Sequence, residues 1–426
     1  MTAALAILAL ILLASGIPIW LVFLVTSTVV LYLFTNVSLT VAATTLFGSL
    51  DNMVLMAVPG FIFAGVIMGR GGMTQRLINW VHNLVGPIPA GVPITTIAAA
   101  EIFGAMSGSS AASTAALGKI LYPALREHGY PERFSLGLIC SCGCIATIIP
   151  PSISMILYAS VTSAPLGKLF MAGLVPGIIL GVMVSGYSIY VSYSEKHRQE
   201  RKWNWPEIWR STKLAAWTML LPVIIFVGIY GGFTTPTEAA ALASAYAVVI
   251  ACFVYREMNL KDFWEVTIES AQLTAKVFLI TASAGLFSWV LSISHAPQNL
   301  VALIGASGAP PWLVLLMINV LLIFSGMFID PASIMLVLGP ILWPVAKLLG
   351  VDITHFGIIM TVNCAIGMFS PPFGLNIFVA CSIFRVSAGL VAISIVPFFL
   401  IYVFGLMLFT YIPSLSLWLP SYLLGN

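Results

Sequence analysis

The chain has 426 residues, of which 60% are hydrophobic and only 7% are charged, with a net charge of +3. Soluble globular proteins carry about a quarter charged residues, so this composition excludes that class and indicates a polytopic helical membrane protein. At about 20 residues per crossing, the apolar sequence allows roughly ten to thirteen crossings or half-crossings. No basic face suggests a nucleic-acid partner, and the six cysteines lie in apolar segments without the spacing of a zinc site.

The first elements are apolar and interrupted. Residues 3–35 break at Gly16-Ile17-Pro18 and predict one or two helices; without a basic start, we interpret them as membrane helices and not as a signal peptide. Residues 50–68 predict a further span, interrupted at Pro59-Gly60. The short turn after it carries Arg70 and Arg76 and no acid, which is typical of a cytoplasmic loop.

A glycine- and serine-rich break follows within residues 91–116. Its sequence is Gly104-Ala105-Met106-Ser107-Gly108-Ser109-Ser110-Ala111-Ala112-Ser113. The apolar arms on either side, 93–103 and 111–125, are each too short to span a membrane, which predicts a re-entrant helical hairpin. Glu101 in the first arm is either a carboxylate paired with Lys119 or an arginine, or a residue of a site or gate.

A second break lies beyond the charged turn at residues 119–133. Residues 134–158 predict a span that is interrupted at Ile149-Pro150-Pro151-Ser152. Two prolines remove backbone donors and leave carbonyl groups free nearby. Within a membrane, free carbonyls are tolerated where they line a cavity or bind an ion.

The only long polar stretch, residues 194–213, follows a predicted span at 170–193. It has an excess of lysine and arginine, and tryptophans stand at positions 203, 205 and 209. Basic residues favour the cytoplasmic side, and tryptophan favours the bilayer interface. We therefore predict a cytoplasmic interfacial connector between two halves of the chain.

The second half begins with a span at 217–230 and a helix start at Thr235-Pro236-Thr237-Glu238. Threonine as N-cap, proline at the first helical position and glutamate three residues after the cap form a capping box. Residues 259–269 then predict a charged interfacial helix, and 273–293 a separate span. Lys276 within that span is expected to snorkel or to pair with Glu269.

The broken pattern returns at residues 312–350, after a predicted loop or tilted segment at 295–311. The break reads Ser325-Gly326-Met327-Phe328-Ile329-Asp330-Pro331. Asp330 is the only acid between Glu269 and Asp352, and we interpret it as a site residue, an N-cap, or both. A second Pro-Pro span, 356–384, and a last span, 389–411, complete the chain.

These two broken segments are related by a shift of 221 positions. The shift places Ile102-Phe103 on Ile323-Phe324, and Pro150-Pro151 on Pro371-Pro372, without a gap. Two copies of a unit with broken membrane helices are typical of a secondary transporter whose site lies between the copies.

Five stretches resemble one transporter family. They are Gly104–Ser113, Ile149-Pro150-Pro151-Ser152, the Thr-Pro-Thr-Glu-Ala-Ala-Ala sequence from Thr235, Gly326-Met-Phe-Ile-Asp330 and Ser370-Pro-Pro-Phe-Gly374. Over essentially the whole chain, the sequence is similar to the large membrane subunit (M subunit, DctM type) of tripartite ATP-independent periplasmic (TRAP) transporters.

That resemblance implies an all-α polytopic protein of the bacterial inner membrane with two inverted repeats, each with a re-entrant hairpin and a Pro-Pro-broken helix. Such subunits are not enzymes; they use a sodium gradient to import an organic anion, such as a dicarboxylate or sialic acid. A periplasmic binding protein delivers the anion. A small four-helix membrane subunit, expected here as a separate chain, completes the complex. A transport domain containing both hairpins slides against a fixed scaffold, in an elevator mechanism.

The resemblance also implies a division of the chain and a set of site residues. The division is 1–90 scaffold, 91–165 first transport-domain repeat, 166–311 scaffold with the connector, 312–385 second transport-domain repeat and 386–426 C-terminal helix. One sodium site would use Ser107, Ser109, Ser110, Ala146 and Pro150. The other would use Gly326, Asp330, Gly367, Ser370 and Phe373. The substrate would contact Ser107, Gly108, Ser152, Gly374 and Asn376. Ala146 stands where relatives commonly have glycine, a change that a carbonyl ligand tolerates.

Two other function classes are open to test. An ion-coupled antiporter or exchanger with the same repeats would need no binding protein, although few intramembrane acids are present to relay protons. An intramembrane serine protease would use Ser307, in Gly305-Ala306-Ser307-Gly308, with His355 as base, and it requires the two side chains to meet. No phosphate-binding loop is present in the sequence, which argues against ATP hydrolysis by this chain.

Overall fold

The computed structural model describes residues 1–70, 72–194 and 203–424, and within these ranges all regular secondary structure is helical. The first ten α-helices are α1 Thr2–Ala14, α2 Ile19–Phe34, α3 Leu39–Gly48, α4 Ala57–Arg70, α5 Met73–Val85, α6 Gly91–Ser107, α7 Ser110–Glu127, α8 Glu132–Ile148, α9 Ile153–Thr162 and α10 Leu166–Ser194. The other ten are α11 Trp205–Tyr230, α12 Pro236–Val249, α13 Leu260–Ile293, α14 Ala296–Ser307, α15 Pro311–Phe328, α16 Pro331–Leu348, α17 Ile353–Phe369, α18 Leu375–Phe384, α19 Ala388–Tyr411 and α20 Ser414–Leu424. A 3-10 turn at Met53–Met56 precedes α4, and a π-helical turn at Ile250–Val254 extends α12.

Nine helical segments in the described part of the chain are long and apolar enough to cross a membrane. The chain is therefore a multi-pass membrane protein, as its composition predicts. Most buried side chains are apolar, and several helices expose large apolar side chains, as expected of surfaces that face lipid.

The four breaks predicted in the two hairpins and the two Pro-Pro spans are confirmed. Gly108 and Ser109 separate α6 from α7, and Ile329 and Asp330 separate α15 from α16. The residues between α8 and α9, and between α17 and α18, contain the two Pro-Pro pairs. In each hairpin the two helices contact each other, and each hairpin also packs on a broken helix: α6 and α7 on α8, and α15 on α17.

The predicted capping box is also confirmed. Thr235 caps α12, and Glu238 accepts a hydrogen bond from the Thr235 backbone nitrogen at 2.7 Å.

Two predictions about element boundaries are wrong, and a third, which left a loop or a tilted segment open, is resolved. Residues 259–269 and 273–293 form one continuous helix, α13, because no glycine or proline interrupts the first 25 residues of that stretch. Pro59-Gly60 does not interrupt α4, because Pro59 lies in the first helical turn, where its missing donor has no intrahelical partner to lose. Residues 295–311 contain a helix, α14, and not only a loop.

The connector predicted at 194–213 falls partly on residues 195–202, which lie outside the described residues. From Trp205 onward, the tryptophan-rich part forms the first turns of α11, so it continues directly into a spanning helix. Trp205 and Trp209 expose most of their surface, as expected of side chains at a bilayer interface.

The helices form two packed groups. In one group, α4 packs on α12 and α13, and α2 packs on α13. In the other, α8 packs on both hairpin-one helices and on α17 and α19, and α10 packs on α6, α17, α19 and α20. The groups meet mainly where α13 touches α16 and where α4 and α5 touch α6.

Charged side chains join the loops at one end of the first group. Arg76 of α5 makes a bidentate ion pair with Glu257, and its guanidinium lies 4.0 Å from the centre of the Tyr255 ring. This hydrogen bonding lowers the pKa of the Glu257 carboxyl, because it stabilises the charged form. Arg70 binds Glu265 at 3.0 Å and Glu269 at 2.8 Å. Since Arg70 occupies Glu269, the predicted pair between Lys276 and Glu269 is wrong.

Candidate functional site

The tip of the first hairpin is built by a left-handed glycine and three serines. Gly108 has φ +58°, and a Cβ there would lie 2.7 Å from the Pro151 carbonyl oxygen, so the tip sits directly on the Pro-Pro break. Ser107 shares a 2.8 Å hydrogen bond with Ser113, and Ser109 caps α7 by accepting from the Ala112 nitrogen.

The hairpin backbone crosses the broken helix at close range. A Cβ on Gly104 would lie 2.6 Å from the Cα of Ala146, so the two backbones touch. Together with the contact of Gly108 on Pro151, this places the last turns of α6 against both α8 and the Pro-Pro break. Ser110 points elsewhere: its hydroxyl accepts from Asn376 Nδ2 at 2.7 Å and lies 3.4 Å from the Cys144 sulfur.

The second hairpin repeats this crossing. A Cβ on Gly326 would lie 2.8 Å from the Cα of Gly367. Asp330 caps α16, accepting from the Ser333 nitrogen at 3.1 Å and from the Ser333 hydroxyl at 2.6 Å. Gly326, Asp330 and Phe373 line a common pocket of about 300 Å³. The hydroxyl of Ser370 is turned away, because it donates to the Ile366 carbonyl at 2.7 Å.

The residues assigned to the substrate are not all accessible in this conformation. Ser107 lines a large cavity, whereas Ser152 and Asn376 are fully buried. Ser152 donates to the Thr147 carbonyl at 2.6 Å, and Asn376 bridges α18 to Ser110 and to the Cys140 carbonyl. Gly374 packs against the backbone of Met368, leaving its neighbour Leu375 to line the cavity.

The large cavity lies between the two groups of helices and measures about 770 Å³. One wall consists of α4 and α13, and the opposite wall consists of the hairpin tips and the second halves of the broken helices. Ser107, Ser109 and Asp330 all contribute to it, so it joins residues of both predicted sodium sites. Its volume falls in the usual range for small-molecule sites.

Four helix N-termini end at this cavity. The first turns of α7, α9, α16 and α18 contribute lining residues, namely Ser109 and Ala112, Ile153, Asp330 and Ala332, and Leu375. Helix N-termini carry partial positive charge and unpaired backbone donors. Asp330 already accepts such a donor at α16 and Ser109 accepts one at α7, which leaves the ends of α9 and α18 without a side-chain cap to face an anion.

The charged lining of the cavity was only partly predictable. Three cationic side chains, Arg70, Lys119 and Lys276, line it together with the acids Glu269 and Asp330. In sequence, Lys276 stands out as a single cation in an apolar run, but nothing there shows that it shares a cavity with Lys119.

Glu101 does not line this cavity and makes no ion pair within the described part of the chain, so the predicted pair with Lys119 or an arginine is wrong. Its carboxylate occupies the space that a Cβ on Gly181 of α10 would take.

The protease arrangement is absent from the described residues. Ser307 donates to the Ile304 carbonyl at 2.7 Å, and the ring of His355 lies 2.6 Å from the Ser416 hydroxyl. The proposed nucleophile and base are therefore bonded to different partners.

Comparisons with known proteins agree with this architecture. The sequence model of the family described as "Tripartite ATP-independent periplasmic transporter, DctM component" matches residues 6–415. The chain is 40% identical over 391 residues to the C4-dicarboxylate TRAP transporter large permease protein DctM of Pseudomonas aeruginosa, covering 92% of each protein. It is 40% identical over 365 residues to the ectoine/5-hydroxyectoine TRAP transporter large permease protein UehC of Ruegeria pomeroyi, covering 86% of this chain and 85% of that protein.

A longer relative is the isethionate TRAP transporter permease protein DctMQ of Oleidesulfovibrio alaskensis. It is 37% identical over 372 residues, which cover 87% of this chain and 59% of that protein.

Two solved structures share the fold at low sequence identity. The Alcanivorax borkumensis YdaH transporter matches with a TM-score of 0.66 at 13% identity, covering 94% of this chain and 96% of that one. Neisseria gonorrhoeae MtrF matches with a TM-score of 0.57 at 12% identity, covering 94% and 93%.

Proposed function

The chain belongs to the DctM component family of tripartite ATP-independent periplasmic transporters, and from that premise we propose that it is a sodium-coupled importer of an organic anion. The anion binds in the 770 Å³ cavity between the hairpin tips and the wall formed by α4 and α13. The transported class is a small organic acid, in line with the dicarboxylate and isethionate named for two relatives.

The observation that carries this proposal is the electrostatic character of the cavity. The N-termini of α9 and α18 have no side-chain cap and offer backbone donors to an anion, and the amino group of Lys276 lines the same cavity. Anions bind readily at helix N-termini for this reason. The cavity is therefore suited to a carboxylate or sulfonate group.

Sodium coupling is supported by the donor chemistry at the two crossings. Sodium, like other hard cations, takes oxygen ligands. The first crossing offers the hydroxyls of Ser107 and Ser109 beside the backbone of Ala146 and Pro150. The second offers the Asp330 carboxylate beside the backbone of Gly326 and Gly367. Both sets border the anion cavity through the hairpin tips, so a bound sodium ion would order the tips that the anion contacts.

The elevator mechanism is supported by the packing of two bodies around this cavity. We assign α6–α10 and α15–α20 to the moving body, and α2–α5 and α11–α13 to the scaffold. The sequence-based division placed α10 in the scaffold region and α19 apart from the second repeat; the contacts of α10 with α6 and α17, and of α19 with α8, favour the moving body for both.

The partners and location follow from the family. We propose a bacterial inner-membrane complex in which a periplasmic binding protein delivers the anion and a small membrane subunit packs on the scaffold. The greater length of the DctMQ relative is consistent with a fusion of the small subunit to the large one.

The test is the thermal unfolding of the purified chain in potassium buffer, titrated with sodium. A ligand that binds only the folded state stabilises it by about 2.7 kcal/mol at a hundred times its Kd. We expect a sodium-specific rise in the unfolding midpoint that is weakened in Ser107→Ala and in Asp330→Ala. Ser307→Ala, which lies in α14 away from the crossings, is the matched control and should respond like the wild type.

Equal midpoints in sodium and potassium would contradict sodium coupling and would favour an exchanger driven by another ion. A response that persists unchanged in both variants would instead place sodium at other residues.

A further inference from the structure

Lys276 lies half-way along α13, the longest helix among the described residues. Helix α13 has 34 residues from Leu260 to Ile293, and Lys276 is about 24 Å from its start at 1.5 Å per residue. The α13 residues that line the cavity are Glu269, Leu273, Lys276, Val277 and Ile280, a spacing that forms one helical face. Lys276 is therefore in the middle of the cavity wall, on a helix that is long and apolar enough to cross a membrane.

This ammonium group has no carboxylate partner. Within the described part of the chain, no acid lies within ion-pair distance of Lys276. Glu269, about two helical turns away on the same face of α13, binds Arg70 at 2.8 Å. The oxygens of Asp330 accept from Ser333. Ionisable side chains in membrane-spanning helices are rare and mark substrate or ion pathways.

The opposite wall is also arranged for negative charge. The N-termini of α9 and α18 border the same cavity through Ile153 and Leu375. A carboxylate between these ends and the Lys276 ammonium would be approached by donors from both bodies of the protein.

We propose that Lys276 binds the acidic group of the transported anion, as a ligand contributed by the scaffold and facing the hairpin tips. This inference rests on the proposed function and goes beyond it, because it assigns a specificity-determining residue outside the moving body. When the hairpins move, the anion moves with them and loses its contact with Lys276, which stays on the scaffold. The ion pair therefore contributes to affinity only in the conformation in which the tips face α13.

Lys119 is the matched control for this position. It also lines the cavity, but it lies nine residues into α7, about 13 Å from the hairpin tip. At that distance it raises the local anion concentration without contacting a molecule bound at the tips.

The experiment uses the full chain in lipid nanodiscs with sodium. Binding is measured by calorimetry for succinate, isethionate, ectoine and N-acetylneuraminate, and the anion that binds the wild type best becomes the probe. We expect Lys276→Met to weaken its binding about tenfold or more, because a charge-assisted hydrogen bond is lost. Lys276→Arg should stay within about threefold of the wild type, as should Lys119→Met.

A second readout separates a ligand from a merely structural residue. The probe acid is compared with its neutral amide; the wild type should prefer the acid, and Lys276→Met should lose most of that preference. The sodium-dependent rise in unfolding midpoint should be unchanged in Lys276→Met, which shows that the variant is folded.

Three outcomes decide the matter. If the wild type binds an anion and Lys276→Met binds it equally well, the inference is overturned while the proposed function stands. If Lys119→Met and Lys276→Met weaken binding equally and keep the acid preference, both lysines act by long-range electrostatic attraction and neither contacts the anion. The inference is then again overturned. If the wild type binds none of the four compounds, the proposed substrate class itself is wrong.

Discussion

Asn376 shows how a single side chain joins the two repeats. Its amide nitrogen donates to Ser110 Oγ at 2.7 Å and to the Cys140 carbonyl at 3.1 Å, so it connects α18 to the first hairpin and to α8. The side chain is fully buried. Buried amides of this kind rigidify the groups that they join. The position of Ser110 next to the first crossing therefore depends on a residue 266 positions away.

We expect Asn376→Ala to destabilise the protein by about 1–3 kcal/mol, because Ser110 and the Cys140 carbonyl lose a buried donor. Amide hydrogen exchange in residues 107–110 should become faster, since the hairpin tip loses its connection to α18. Asn299→Ala, in α14 outside these contacts, serves as the control. If amide hydrogen exchange at the hairpin tip is unchanged in the Asn376→Ala variant, the tip is held by α8 alone.

For single residues, the sequence predicted which side chains have a special role more reliably than it predicted their interaction partners. Asp330 was predicted as a site residue or a cap, and its hydrogen bonds to Ser333 confirm the cap. The partner of Lys276 was predicted wrongly, because the competing cation Arg70 comes from a helix nearly 200 residues earlier. Local spacing reports helical neighbours, whereas the choice among distant charges depends on tertiary packing.

At the scale of elements, the two hairpins depend on glycines where backbones cross. Gly326 and Gly367 face each other so closely that a Cβ on either would lie less than 3 Å from the other's backbone. Neither has a left-handed φ, so the constraint is the close approach and not the backbone conformation. A methyl group at this crossing would push α15 away from α17.

Gly326→Ala should therefore destabilise the protein by about 1–3 kcal/mol, as expected when extra atoms are forced into a packed contact. Gly305→Ala is the matched control: a Cβ there meets nothing within 4 Å and the residue is helical. It should be neutral or slightly stabilising, by up to about 1 kcal/mol. The unfolding midpoints of Gly326→Ala and Gly305→Ala are measured in the same detergent. Equal midpoints would show that α15 and α17 can move apart to accommodate the methyl group at no cost in stability.

Broken elements were easier to predict than long ones. Glycine, serine and paired prolines mark the four breaks directly, because these residues change backbone hydrogen bonding wherever they stand. The continuity of α13 was missed, because its first turns are charged and its later turns are apolar, which looks like two elements. Its charged turns bind Arg70 of α4 through Glu265 and Glu269, a tertiary contact that no local pattern reveals.

At the scale of the whole molecule, the assignment of two bodies makes a mechanical prediction. Asn52, just before the 3-10 turn of the scaffold, donates its side-chain amide to the Ser160 carbonyl of α9 at 3.1 Å. This contact crosses between the scaffold and the proposed moving body. In the elevator mechanism it must break during each cycle, because α9 travels with the hairpins.

A short bifunctional thiol reagent applied to Asn52→Cys with Ser160→Cys should therefore stop uptake in proteoliposomes containing the complete complex, and a cleavable reagent should allow recovery. The control pair is Met53→Cys with Thr237→Cys, whose residues are joined by a 3.2 Å hydrogen bond within the scaffold. Cross-linking that pair should leave uptake within about twofold of the untreated protein, because no relative motion is expected between α12 and the turn before α4.

The two cross-links together decide between kinds of motion. If both stop uptake, the scaffold itself must rearrange, and a rigid wall carrying Lys276 is no longer tenable. If neither does, α9 stays beside Asn52 throughout the cycle, and the anion must pass by local opening of the hairpin tips. Only the combination of a blocked Asn52–Ser160 pair and an active Met53–Thr237 pair agrees with one body that slides past another, with the anion cavity between them.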